Sequence, residues 1–542
     1  MRRCTTYRTQ TPRPPARRTF APVNEGWLRA RRRRCGRVAL TTPSRLNTLS
    51  PEGTTVRGGV VEVALGSADL RLLEPYLRPG PTERLRGGRI RAHAALAGHR
   101  VWAVSSTAAG GGVATMMRTL LPYWRGAGID VRWIVITGPH EFFRVTKRLH
   151  NWLHGSLGDC GPLGPDQFAL LRRTASAQLD ALIARVAPGD TVVLHDPQTA
   201  SLVAPLKCAG ARVVWRCHIG ADQPNERVER AWEWLLPQVA RADALVFTRT
   251  AFVPPVARAA GIRIITPAID PASLKNQPLS PELARAIGQQ MGVVRGQPTH
   301  PPHLFRADGS VIRITRRAQI LGFGPPPRAG IDPIVLSLSR WDRLKDQIGI
   351  IAAFAQHVLP SVGSAHLIVA GPETGAIQDD PESHEAFDEV RTAWERLPTK
   401  QRCHVHLASL PFDPLDENAA MVNALQTLAD VVVKKSIQEG LGLGVTEALW
   451  KARPVVATRV GGHREQIRDG YHGLLVDDPN DLDAFGSAIV RLLHAPDLAA
   501  RLGRAGRERV RQRFLADRYF LAWTKLLGDA GRFSAPPRGG RI

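Results

Sequence analysis

The sequence predicts an α/β protein in which two doubly wound domains face a central cleft. Three observations carry that expectation. Short apolar runs alternate with helix-like segments between residues 101 and 248, the same alternation returns between 334 and 457, and a Pro-rich stretch at 271–332 interrupts it. Short strands separated by helices imply parallel sheets covered on both faces. At 542 residues the chain is long enough for two cores plus extensions.

Taken in order, residues 1–55 read as a disordered extension. The first 50 hold thirteen arginines against one acidic residue, Glu25, with much Pro and Thr and little hydrophobic periodicity. An Arg-rich, acid-poor start also suits a transit peptide, while the lack of an apolar segment argues against a secretory signal. A Rossmann-like domain is expected over 56–270, with strands at 101–106, 131–136, 191–194, 212–219 and 244–248. Helical patterns occupy 113–121, 166–186 and 228–240. Residues 271–332 read as a linker or insert, with Asp308-Gly309 as a hairpin signal and three prolines at 325–327. The second Rossmann-like domain is expected over 333–513, with strands at 334–339, 366–370, 404–407, 430–433 and 454–457. A last helical pattern at 514–530 is expected to pack back on the first domain.

The net charge of +25 sits to a large extent in the leader. Charge runs mostly solubilise, so a solvated tail is preferred there over a nucleic-acid arm. No apolar run approaches the ~20 residues of a membrane span, and no membrane partner is expected. Six cysteines lie scattered without a CxxC pair. That argues against a zinc site or a disulfide framework and for a reducing, cytoplasmic compartment.

Chemistry concentrates in Lys435-Ser436-Ile437-Gln438-Glu439-Gly440-Leu441-Gly442-Leu443-Gly444-Val445-Thr446-Glu447. The order reads as strand, Gly-rich turn, helix. Free amides at a helix start attract phosphate, and glycines let a diphosphate approach the main chain. A carboxylate beside phosphate is repulsive, so Glu439 and Glu447 call for hydroxyl-rich sugars at the two ends of the ligand. That describes a nucleotide sugar. Arg340 and Lys345, after the strand at 334, can neutralise a departing diphosphate without a metal; alone, two basic residues near Asp342 and Asp346 would be a surface salt-bridge cluster. Gly110-Gly111-Gly112 opens a helix after the first strand, either as a plain turn or as a backbone approach to an anion. His195, Asp196 and Gln198 end one strand, Arg216 and His218 the next, and together they form a polar cluster. Asp379-Asp380 and Asp477-Asp478 read as solvated turns.

These residues resemble the retaining GT-B glycosyltransferases of family four. Ser105-Ser106-Thr107 with Gly110-Gly111-Gly112, the set Glu141, Phe142, Phe143, Lys147, His150 and Asn151, and His195-Asp196-Pro197-Gln198 look like the trehalose glycosyltransferring synthase group. So do the segment from Arg340 to Asp346, Asn423 with Gln426, and the run from Lys435 to Lys451. The similarity covers about residues 56–530. It implies a two-lobed GT-B fold and a hexosyltransferase that moves glucose from ADP- or UDP-glucose to glucose. Gly111 and Gly112 would approach the donor diphosphate from the first domain. Arg340, Lys345, Gly440, Gly442 and Leu443 would hold it from the second. Glu447 would bind ribose, Glu439 the transferred glucose, and His218 the donor sugar. His195, Asp196 and Gln198 would hold the acceptor, with Lys147, His150, Asn151 and Arg216 nearby. A sugar-phosphate acceptor would need an extra basic pocket, which Lys147, Arg148 and Arg216 could supply. No cofactor is implied beyond Mg²⁺ arriving with the nucleotide, and a homodimer stays open. Leu441 stands where the family has an aromatic, Gly444 where it has a bulkier residue, and 298–330 is a Pro-rich insert. Other readings are a trehalose phosphorylase on the same residues, another family-four glycosyltransferase with a different sugar acceptor, a nucleotide-sugar epimerase, and a non-catalytic protein with a vestigial nucleotide-sugar fold that binds nucleic acid through its leader.

Overall fold

A computed structural model describes residues 54–57, 59–257, 261–377 and 379–529. The expectation for the Arg-rich leader lies outside them, apart from the two threonines that start the first strand. The first lobe is built on eight strands: β1 (Thr54–Arg57), β2 (Val60–Val63), β3 (Val101–Ser105), β4 (Val131–Ile136), β5 (Thr191–His195), β6 (Arg212–Cys217), β7 (Ala244–Phe247) and β8 (Ile262–Ile264). They are ordered β1-β2-β4-β3-β5-β6-β7-β8. All pairs from β4 to β8 are parallel, and β1 and β2 add an antiparallel edge. Strand alternation divides the apolar residues between two layers. Trp102 and Val104 of β3 join the core on one face, while Val101 and Ala103 join the core on the other.

The second lobe holds β9 (His303–Phe305), β10 (Val311–Arg313), β11 (Gln319–Leu321), β12 (Ile334–Leu338), β13 (His366–Pro372), β14 (Val405–Leu410), β15 (Val431–Lys434), β16 (Val455–Thr458) and β17 (Leu474–Val476). Seven of these form a sheet ordered β11-β14-β13-β12-β15-β16-β17, parallel except at β11. Leu336 and Val432 face one core, and Val335, Val431 and Val433 face the other. The protein is thus an α/β fold of two parallel-sheet lobes.

The segment read as a linker is built into this lobe instead. Ser280 caps a helix, Pro281–Met291, by accepting from the Leu283 amide at 3.2 Å, and Gly292 ends it at φ +85°. Ala284, Ile287 and Met291 share a core with Val432. Asp308-Gly309 turns the β9–β10 hairpin, whose register pairs Phe305 with Val311. β11 then closes the sheet edge.

The chain crosses between lobes twice, side by side. The Ile269 amide donates to the Phe514 carbonyl at 2.9 Å. The helix Ala516–Asp529 then packs on the helix Pro79–Leu96 of the first lobe, and Phe520, Trp523 and Leu527 complete the core around Trp124 and Trp133. Among the described residues no helix is long and apolar enough to cross a membrane.

Candidate functional site

Strand order reverses at two places: β3 lies between β4 and β5, and β12 between β13 and β15. Open α/β sheets bind ligands outside the carboxyl ends of the strands at such points. Both points open onto one cavity of about 650 Å³, lined from the first lobe by the segment after β3 and from the second by residues after β12 and β15.

On the second-lobe wall Lys345 Nζ lies 2.8 Å from Glu439 Oε2, Ser436 Oγ donates to the same oxygen at 3.1 Å, and His463 Nε2 is 3.8 Å away. Burial alone would push the Glu439 carboxyl up; Lys345, His463 and Lys434 outweigh it and bring it down to about 2. Glu447 is buried and receives Lys275 at 2.8 Å and Gln426 Nε2 at 3.2 Å. Lys275 comes from the supposed linker, and neither it nor His463 was singled out in the sequence. Lys434 also reaches the cavity, with its ammonium on the Leu338 carbonyl and burial pushing it down to about 8. The absence of a side chain at Gly444 makes room for it: a Cβ there would stand 2.8 Å from Lys434 Nζ.

Two helix starts meet across the cavity. Gly110 and Gly111, at φ +77° and +71°, lead into the helix Gly111–Gly126, and Gly442, at φ +80°, caps the helix Leu443–Trp450. A Cβ on Gly112 would be 3.4 Å from Leu443 Cδ1. Gly440 lies against the first lobe, where a Cβ would come within 2.7 Å of the His218 carbonyl oxygen.

On the first-lobe wall Asp196 adopts φ +63°, ψ 176°, a conformation costly for any side chain, of order 1–3 kcal/mol. Its carboxylate accepts from the His218 amide at 2.8 Å and lies 3.1 Å from His218 Nδ1. Arg216 Nε has only a hydrogen to give, and it points at His218 Nε2 at 2.5 Å. His218 Nε2 therefore accepts, its Nδ1 carries the proton, and neither ring nitrogen is left for substrate. The His195 ring stacks on it with centroids 5.3 Å apart, and burial holds both rings below the ordinary histidine range. His195, Asp196, Gln198, His218, Lys147 and His150 all line the cavity.

Two residues grouped with the acceptor set do not. Arg216 is fully buried on the far side of His218, its guanidinium over the Tyr519 and Trp523 rings at 5.4 and 5.2 Å. Asn151 is buried too and donates to Glu382 Oε1 across the lobes at 3.4 Å. The pair Asp379-Asp380 is also corrected. Asp380 is 1 % exposed, and Asp379 accepts from Ser106 Oγ of the first lobe at 3.0 Å. Arg340 NH1 donates to Asp380 Oδ2 at 3.0 Å, and Lys147 Nζ lies 2.7 Å from Asp342 and 3.1 Å from Asp380. These aspartates escaped sequence reading because Ser106 and Lys147, two of the groups that meet them, come from the other lobe. Asp477 and Asp478 are exposed, as a solvated turn requires.

Comparison with known proteins follows the same division into lobes. Residues 103–254 match the family described as trehalose synthase, N-terminal domain, and residues 325–509 match glycosyl transferases group 1. The trehalose synthase of Rubrobacter xylanophilus is 36% identical over 81% of this chain and 92% of its own length. That of Pyrococcus horikoshii is 31% identical over 79% and 89%. A trehalose phosphorylase of Pleurotus pulmonarius is 27% identical over 70% of this chain and 50% of that one. Among solved structures, a trehalose-6-phosphate synthase superposes with a TM-score of 0.59 at 15% identity, covering 79% of this chain and 98% of the other.

Proposed function

The chain belongs to the trehalose synthase family of GT-B glycosyltransferases, and we propose that it is a retaining enzyme moving glucose from ADP- or UDP-glucose to free glucose to form trehalose. The observation that carries the reading is the single cavity in which Lys345–Glu439, Arg340 and the two glycine-led helix starts converge. Breaking the anomeric C–O bond develops positive charge on the sugar and added negative charge on the diphosphate. Arg340, Lys345 and the amides at Gly442 and Leu443 answer the second. Glu439, kept ionised by Lys345, accepts from the glucose hydroxyls, and Glu447 from the ribose. The leaving phosphate takes the proton of the incoming hydroxyl on the same face, so no protein carboxylate need form an adduct. Contact between the lobes excludes the water that would otherwise compete.

Free glucose suits the acceptor side better than a sugar phosphate. Of the cations a phosphate could use, Lys147 is engaged by Asp342 and Asp380, Arg148 by Asp159 at 2.7 Å, and Arg216 faces the other way. The scattered cysteines favour a reducing, cytoplasmic setting, and two cations with two helix starts around the diphosphate would make a resident metal unnecessary.

The test is a matrix of ADP-, GDP- and UDP-glucose against glucose and glucose 6-phosphate, with products identified, run also with EDTA and with trehalose plus phosphate. Trehalose from glucose, undiminished by EDTA, is the expected result. Glu439→Gln and Lys345→Ala should each lower kcat by about 100-fold or more. Glucose 1-phosphate formed from trehalose and phosphate, with no turnover of nucleotide sugars, would establish the phosphorylase instead.

A further inference from the structure

We infer that Lys147 is a positioning residue that locks the lobes together by gripping the loop carrying Arg340 and Lys345, rather than a ligand of the acceptor. The inference rests on the reading above for the phosphate role of those two cations.

Lys147 stands on the helix His140–Leu153 of the first lobe, and its side chain is 4% exposed. Both of its partners belong to the second lobe. Asp342 offers Oδ2 to Lys147 at 2.7 Å, while its Oδ1 accepts from the Leu344 amide at 2.8 Å and so caps the turn Arg343–Lys345. The carboxylate gripped from across the cleft is therefore the one that shapes the cation loop. Asp380 is shared in the same way: Oδ1 lies 3.1 Å from Lys147 Nζ, and Oδ2 accepts from Arg340 NH1 at 3.0 Å. Arg340 NH2 stays 3.8 Å from Asp342, and a quarter of the Arg340 side chain remains exposed. Two hydrogen bonds frame the lock on the same seam, Ser106 to Asp379 and Asn151 to Glu382.

Charge balance gives this arrangement its consequence. When the lobes part, Lys147 leaves with the first lobe. A single guanidinium then faces Asp342 and Asp380 with Asp379 beside them, and is drawn onto them and away from the cavity. When the lobes meet, Lys147 donates to Asp342 Oδ2 and brings its charge 3.1 Å from the otherwise unpartnered Asp380 Oδ1, and Arg340 keeps donors for an anion. A buried ion pair adds little net stability against its desolvation, whereas removing one partner strands the other's charge. Closure and phosphate binding thus become one event.

The test compares Lys147→Met with wild type and with Lys147→Met/Asp342→Asn. Asparagine retains the acceptor that caps Leu344 and removes the surplus charge. Lys147→Met is expected to lower kcat by about 100-fold, as for a displaced catalytic cation, to leave the acceptor KM within about twofold, and to raise the share of donor lost to water. Adding Asp342→Asn should restore at least part of kcat, a non-additive result. A raised acceptor KM with kcat intact, or losses that simply multiply in the double variant, would overturn the inference. Small-angle scattering on the unliganded proteins supplies a readout free of substrate. Lys147→Met should be folded yet larger in radius of gyration than wild type, and an equal radius would also overturn the lock. Because that arm uses no donor, it judges the lock even if wild type proves inactive on every nucleotide sugar.

Discussion

Glu439 sits where Lys345, His463 and Lys434 all act on one carboxylate, and several histidine rings, some beside it and some in the far part of the second-lobe sheet, are buried without charge. The two kinds of group titrate in the same direction on folding. Glu439 falls from the usual carboxylate range to about 2, so its contribution is full above pH ~4.5 and disappears as pH drops toward 2. Burial lowers His154, His463 and His366 to about 4 and His406 to about 3. The unfolded chain protonates these rings near 6.5, so their contribution is full above that pH and is lost as pH falls toward 4. For the fully buried His154 and His463 a depression from 6.5 to about 4 is worth roughly 3 kcal/mol per ring. Two such rings are comparable to the net stability of a whole domain, about 5–15 kcal/mol. Thermal unfolding followed from pH 7 to 4 should show a Tm that falls as pH drops below 6.5, offset in part by Asp270 and Asp517, whose carboxyls burial raises to about 6. A Tm that holds steady to pH 5 would mean the rings are not buried neutral.

Among the elements, the turn after β15 is hemmed in by the opposite lobe. A methyl on Gly440 would meet the His218 carbonyl at 2.7 Å, and that oxygen belongs to the main chain of the opposite lobe. Gly440→Ala should therefore lower kcat at least tenfold, roughly the effect of a small misplacement at the reacting centre. Tm should hardly move, since each lobe folds without the contact; a large fall in Tm with kcat retained would show the glycine serves local folding only. The alternation of strands and helices was legible because parallel strands covered on both faces read as apolar runs. The glycine turns were legible as breaks between strand and helix that bring main chain close to a ligand, and Gly110, Gly111 and Gly442 do stand at positive φ. What sequence reading missed at 271–332 was visible in kind but misassigned. Ser280-Pro281-Glu282 opens a helix and Gly292 closes it, yet proline density suggested a spacer. Lys275, which neutralises Glu447, was lost with it. Lys147 with Asp342 was beyond reach for another reason. The two lie 195 positions apart, and only the meeting of two lobes makes them partners.

At the scale of the whole molecule the two lobes are joined by adjacent crossings at Ile269 and Phe514, and held across the cleft by paired charges. Besides Lys147 with its aspartates, Asp222 accepts from the Gly461 amide at 2.8 Å, and Arg249 reaches Glu465 at 3.3 Å. The helix Ala516–Asp529 belongs to the first lobe in space although the second lobe precedes it in the chain. Trp523 lies against Trp124 with ring centroids 6.2 Å apart, and Arg216 is sealed beneath it and Tyr519. During synthesis the first lobe consequently waits, with an open apolar furrow and an uncovered guanidinium, until the second lobe and the helix after it have been made. A fragment of residues 54–270 expressed alone should aggregate, and supplying residues 514–529 as a separate peptide should bring it into solution, read by sedimentation. If the fragment is monomeric by itself, the first lobe matures without its late strap.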